Sequence, residues 1–373
     1  MIVLVINSGS SSLKYQVRDG GNVLAEGLIE RIGEAGVPDH TAALDLVDQQ
    51  VNDALDGRTI DAVGHRVVHG GERFSEPVLI DNEITRAIER LNPLAPLHNP
   101  AAVQGIRAIT GKWPDMSQVA VFDTAFHRTL PERAWRYAVP DELYRRHGIR
   151  RYGFHGTSHE YVSRGAAALL GVEPGDFHGV IAHLGNGASV TAVRNGKSID
   201  TSMGFTPLEG LVMGTRSGDI DPSILLFLMR EGYSAADLDT LLNRESGLRG
   251  LAGTNDMRSI DEAAGAGDQR AQLALDVAAY RLAKYIGAYH VAVGGAQALV
   301  FTAGIGENSP GFRAATVGHL GALKVMLDDG RNAPRSREPR VVSAATSAIP
   351  VLVVPTNEEA AIAEATVAVV AAG

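Results

Sequence analysis

Ile2-Val3-Leu4-Val5-Ile6-Asn7-Ser8-Gly9-Ser10-Ser11-Ser12-Leu13-Lys14 opens the chain, and how this stretch is read decides the fold. The unbroken apolar run 2–6 predicts a buried strand, and the small polar residues after it predict a loop. Residues 13–18 resume as a second strand, which Asp19-Gly20-Gly21 turns back as a hairpin. The pattern returns 176 positions further on. There Val180-Ile181-Ala182 leads into His183-Leu184-Gly185-Asn186-Gly187, then a strand over 189–194 and the turn Asn195-Gly196. On that register Gly9 meets Gly185, Val17 meets Val193, Arg18 meets Arg194 and Gly20 meets Gly196. A unit met twice points to a duplicated α/β domain, with an unrelated pair of hairpins as the alternative.

Around these hairpins, helical periodicity predicts helices over 101–110, 158–170, 222–230 and 270–293, and an alanine-rich one over 358–372. Strands are expected at 62–67, 118–122, 298–302 and 351–354. Their alternation with helices predicts mostly parallel sheets. The polar segment 330–340 reads as a surface loop. A chain of 373 residues favours two domains.

Composition narrows the function. A net charge of -9 argues against a general nucleic-acid binder, and no apolar run is long enough to span a bilayer. The first residues lack the basic region of a secretory signal. There is no cysteine, which excludes disulfides and thiolate metal sites and fits a cytoplasmic protein.

Three glycine-containing segments follow apolar strands: 7–12, 183–187 and Gly304-Ile305-Gly306-Glu307-Asn308. Such loops let backbone N–H groups approach phosphate oxygens. None is a Walker A loop, and Ser309 stands where a dinucleotide fingerprint needs its last glycine. Lys14 reads either as a phosphate-facing cation or as a solvated strand lysine. Asp123 and Glu358 follow apolar strands, where α/β proteins bind ligands, and a carboxylate pair suits Mg²⁺. Either one alone could equally be a helix cap or turn residue. Arg66 and Arg216 lie among glycines, free either to grip a planar anion or to form structural ion pairs. His155 and His159 stand four apart, but no H-E-x-x-H or third ligand accompanies them. A histidine that donates to a phosphoryl group is the preferred reading. The basic run 145–151 reads as a solvated or interface face.

Taken together, Asn7-Ser8-Gly9-Ser10-Ser11-Ser12-Leu13-Lys14 and the segments 64–72, 152–159, 213–222 and 355–359 resemble the acetate kinase family over essentially the whole chain. That family belongs to the acetate and sugar kinase, heat-shock ATPase and actin superfamily. The resemblance implies duplicated ribonuclease H-like βββαβαβα domains with an interdomain cleft. One lobe would comprise 1–125 plus 360–373, the other 126–359 with nucleotide binding and dimerisation. It implies acetate and ATP as substrates, acetyl phosphate and ADP as products, and a place in acetyl-CoA biosynthesis. Mg²⁺ is the implied cofactor, with Mn²⁺ able to substitute, in a cytoplasmic homodimer that engages neither nucleic acid nor membrane.

By motif, the resemblance gives Asn7 and Glu358 to the metal, and Asp123 to a place beside metal and acetate. Ser12 and Lys14 would face the phosphates. Arg66 would hold the acetate carboxylate, and His155, Arg216 and nearby Asn186 would surround the transferring group. Val68, Leu97, Phe154 and Pro207 would line the methyl pocket. His183, Leu184, Gly185, Asn186 and Gly187 would surround the nucleotide, with Asp256, Met257, Arg258, Gly304, Ile305, Gly306, Glu307 and Asn308. The chain departs from the family in being short between Gly20 and Asp61. A carboxylate acceptor needs no strong base, so direct in-line transfer is expected. A propionate or butyrate kinase, a sugar kinase or chaperone-type ATPase, and a non-catalytic nucleotide binder are the alternatives.

Overall fold

The computed structural model describes residues 1–34, 36–96 and 98–372, with the side chain of Asp53 left aside. The chain forms two compact units. The first comprises Met1–Arg128, Gly156–Ser158 and the segment from Asn357 onward; the second comprises Thr129–His155 and His159–Thr356.

The first unit is built on six strands: β1 (Ile2–Ser8), β2 (Ser12–Asp19), β3 (Asn22–Glu30), β4 (Ala62–Val67), β5 (Val78–Leu79) and β6 (Ser117–Phe122). Their order in the sheet is β3-β2-β1-β4-β6-β5. The second unit holds β7 (Gly179–Leu184), β8 (Ala188–Arg194), β9 (Lys197–Thr201), β10 (Ala298–Thr302), β11 (Arg340–Val341) and β12 (Val351–Val353). Its sheet runs β11-β12-β10-β7-β8-β9, the same plan in the same chain order. The duplication is therefore real at the level of topology. Both second hairpins carry a register shift at corresponding places, between Val17 and Arg18 and between Ala192 and Val193. The copies differ by one residue at the first turn, since Ser8 pairs with Leu13 but Leu184 pairs with Ala188.

The expectation of mostly parallel sheets is corrected. Only β1–β4–β6 and β7–β10–β12 are parallel; the hairpin strands and the short edges β5 and β11 pair antiparallel. Tight turns force antiparallel pairing, and the parallel central strands of the first sheet are joined through the helices His40–Leu55 and Asn99–Lys112. The segment 20–61 holds β3 and the first of these helices. Asp39 caps it by accepting from Ala42 N at 2.9 Å, and Ala43, Leu44, Val47, Val51 and Leu55 bury its apolar face. On the other face the helix Glu358–Ala372 lies close against β4. A Cβ at Gly64 would meet Thr366 Oγ1 at 2.4 Å and Ile362 Cγ2 at 2.8 Å, so only glycine permits that approach. The segment 330–340 is not purely a loop, since it takes in a short helix, Asp329–Asn332.

Candidate active site

In the first unit, the carboxyl ends of the parallel strands gather charge. β4 and β6 run side by side with Arg66 opposite Val121 and Val67 opposite Phe122. That register brings Asp123, the residue after β6, beside the Arg66 side chain. Arg66 Nε donates to Asp123 Oδ1 at 3.0 Å and Nη2 to Oδ2 at 2.7 Å, a bidentate pair. Nη1 lies 3.6 Å from Glu358 Oε2, at the start of the last helix. Burial alone would lower Arg66, but Asp123 and then Glu358 hold it well above the usual arginine range. Asp123 is 1% exposed, and its carboxyl is raised by burial despite Arg66, with Glu358 adding to the rise. Lys14 pairs with Glu359; burial pushes that carboxyl up, yet Lys14 wins and holds it below the usual range. Asn7 lies opposite Lys14 across the hairpin, and Ser12 O closes the loop by accepting from Gly9 N at 2.7 Å. Val68 follows directly on β4, while Leu97 lies outside the described residues.

These residues fit a hard cation. Asp123, Glu358 and Glu359 bring three carboxylates to face two cations, Arg66 and Lys14. Among the described residues no three acidic or imidazole groups could hold a metal unaided. Mg²⁺ needs no such cage, because waters and substrate phosphates complete its shell.

The second unit has the opposite electrostatics. Arg216 donates through Nη1 to Pro207 O at 2.6 Å and has no carboxylate partner among the described residues. Burial pulls it down to about 10, so it remains a cation at neutral pH. Its loop is held by Gly214 N donating to Asn186 O at 2.9 Å and Leu248 N donating to Met213 O at 2.8 Å. His155 sits beside it in a left-handed conformation, φ 56°, an uncommon geometry for a residue with a side chain. A Cβ at Gly187 would lie 2.6 Å from Arg216 Nη2 and 3.4 Å from His155 Nε2, so both nitrogens close on one glycine. Phe154 is buried, Pro207 partly buried, and both belong to this unit.

The Gly304–Asn308 segment is corrected from a loop to a short helix, Ala303–Asn308, entered through Ala303 at φ 64°. Together with Asp256, Met257 and Arg258 it lines a cavity of about 350 Å³, joined by Asp261, Ser309 and Arg335. Of the residues predicted for the nucleotide, Asp256, Met257, Arg258, Gly304, Ile305 and Asn308 meet there. Gly306, Glu307 and the 183–187 turn do not line it. Arg313, for which the sequence holds no signal, is fully buried behind this helix. It donates to Gly306 O at 2.8 Å, Glu307 O at 3.0 Å and Asn332 O at 2.7 Å.

The profile of the acetokinase family matches residues 2–364. The chain is 74% identical to the acetate kinase of Arthrobacter sp. (strain FB24), over 99% of each chain. It is 63% identical to that of Micrococcus luteus, over 98% of each. The crystal structure of Porphyromonas gingivalis acetate kinase superposes with a TM-score of 0.93 at 44% identity, covering 99% of both chains. A propionate kinase from Francisella tularensis gives 0.92 at 42% identity, covering 98% of both. No helix among the described residues is long and apolar enough to cross a membrane. With a family profile matched along nearly its whole length and charged groups gathered at the ends of a duplicated sheet, this chain belongs to the acetokinase family, a family of phosphotransferases.

Proposed function

We propose that this protein moves the γ-phosphoryl group of ATP directly and reversibly onto acetate, in line and without a phosphoenzyme. The observation that carries the reading is Arg216, a cation drawn down by burial with no carboxylate among the described residues to meet it, beside His155 Nε2 at Gly187. A partly buried guanidinium with no carboxylate to meet it is favoured by the arrival of an anion. The transferring phosphoryl group is that anion, and the barrier is repulsion between an anionic acceptor and a polyanion. Donors fixed in advance around the developing charge lower it.

In this reading Arg66 orients the acetate carboxylate and Asp123 holds Arg66 in place. Asn7 and Glu358 would hold Mg²⁺, for which Mn²⁺ could substitute; when bound, the metal neutralises phosphate charge. Ser12 and Lys14 face the phosphates, and His155, Arg216 and Asn186 donate to the transferring group. The 350 Å³ cavity takes the nucleoside, being of a size ordinary for ligand sites. The turn formed by His183, Leu184, Gly185, Asn186 and Gly187, with Gly306 and Glu307, faces the phosphate chain. Val68, Phe154 and Pro207, with Leu97, would form the methyl pocket and disfavour acids longer than acetate. We also propose lobes of 1–125 plus 360–373 and of 126–359, a cytoplasmic location, and a homodimer joined through the second unit. There Ile224, Leu226, Phe227 and Met229 on the helix Ser223–Arg230 are 45–58% exposed, apolar surface suited to a second copy.

The test is turnover with Mg·ATP and acetate, propionate or butyrate in a coupled assay. Acetate should give the highest kcat/KM, with propionate slower and butyrate poor. A preference for butyrate, or no acid-dependent ADP formation, would defeat the reading.

A further inference from the structure

Ser189 has no part in the chemistry proposed so far, yet it stands between two histidines. Its Oγ lies 2.9 Å from His155 Nδ1 and 2.8 Å from His159 Nε2. Ser189 and His159 are both fully buried. A serine hydroxyl has one hydrogen, so it can donate to only one of these nitrogens and must accept from the other. The protonation patterns of the two rings are therefore tied together through one oxygen.

Which pattern prevails follows from the other side of the His155 ring. Its Nε2 points to Gly187 beside Arg216 Nη2, the place proposed for the transferring phosphoryl group. A phosphoryl oxygen only accepts, so Nε2 must carry a proton there. The His155 ring also stacks on His183 with centroids 4.1 Å apart and planes 19° apart. A second proton on His155 would place a cation against that ring and near Arg216, which a poorly solvated site resists. A neutral His155 with its proton on Nε2 has a bare Nδ1, which must accept from Ser189 Oγ–H. The oxygen is then left to accept from His159 Nε2–H.

We infer that Ser189 and His159 are positioning residues, a hydrogen-bond relay that holds His155 as the neutral Nε2–H donor for phosphoryl transfer. The inference rests on the proposed role of His155, and its test separates the two. The nitrogen-15 spectrum of histidine-labelled enzyme, assigned with His155→Gln and His159→Gln, reads the tautomers directly. The expected result is a bare, hydrogen-bonded Nδ1 on His155 and a protonated Nε2 on His159. A protonated His155 Nδ1 overturns the relay. Kinetics give the second reading: Ser189→Ala should lower kcat by about 10–100-fold, as loss of outer-shell partners does elsewhere, with little change in KM. Ser189→Thr, which keeps the hydroxyl, should recover most of that loss. In a His155→Ala background, Ser189→Ala should cost nothing further, because it acts through the missing ring. An equal cost in both backgrounds would make Ser189 merely structural. A fully active His155→Ala would instead overturn the role on which the inference rests.

Discussion

Two arginines that look alike in sequence, each set among glycines, end in opposite environments. Arg66, in the first unit, is gripped by Asp123 and approached by Glu358, and its charge is met before any substrate arrives. Arg216, in the second, touches the carbonyl of Pro207 and has no carboxylate among the described residues. The same contrast extends to their neighbours. Lys14 is paired with Glu359, whereas His155 is held by a neutral hydroxyl and stacked on a second imidazole. The first unit meets its cations with its own carboxylates. The second leaves Arg216 without a carboxylate among the described residues, which is the feature the proposed phosphoryl role uses.

The contrast can be broken most forcefully at Arg66. Arg66→Ala leaves Asp123 buried without its partner, and should cost about 3–5 kcal/mol of stability in denaturant unfolding, in addition to activity. Arg66→Ala combined with Asp123→Asn should recover much of the stability but not the rate. A single variant as stable as wild type would show that the pair holds nothing in place. Arg216→Ala should behave in the reverse way. With no carboxylate to orphan, it should fold with undiminished stability while kcat falls by on the order of 10²–10³-fold. A destabilised protein with normal turnover would invert the assignment. Gly187→Ala sharpens the point, because the new Cβ would lie 2.6 Å from Arg216 Nη2 and must displace it. The expected loss in kcat is smaller than for Arg216→Ala, since a flexible guanidinium can partly recover; an unchanged kcat would release Arg216 from that position.

The smallest effect lies at the proposed acid pocket. One methylene is worth about 1–3 kcal/mol, so wild type should favour acetate over propionate by roughly 10–200-fold. Val68→Ala should narrow that ratio by making room, and an unchanged ratio would remove Val68 from the pocket.

Much of this architecture is legible in the chain because its signals are local. The apolar run at 2–6, the small polar loop and the turn at Gly20 fix a hairpin without help from elsewhere, and their return at 180–196 reveals the second copy. Asp123 and Glu358 are equally visible as carboxylates that follow apolar strands. What depends on register is not. Arg66 and Asp123 are 57 residues apart, and only the parallel pairing of β4 with β6 makes them partners. From the sequence alone, an ion pair and an anion contact are equally good readings of both arginines. Ser189 carries no signal, since a serine in a strand acquires meaning only when two ring nitrogens converge on it. Arg313 is hidden for the same reason. The Gly304–Asn308 segment looks like a loop because its glycines are locally ambiguous, and the left-handed entry at Ala303 turns it into a helix. The segment 20–61 does carry a readable helix, with Asp39 as its cap and apolar residues at helical spacing from Ala43 to Leu55.

The central claim is direct transfer between ATP and a carboxylate. It is tested most directly with ATP whose γ-phosphoryl group is made chiral by oxygen isotopes. Its configuration is then read in the acetyl phosphate formed. One in-line displacement predicts inversion. Retention would require two displacements and a phosphorylated enzyme between them, and would contradict the roles proposed for Arg216 and His155.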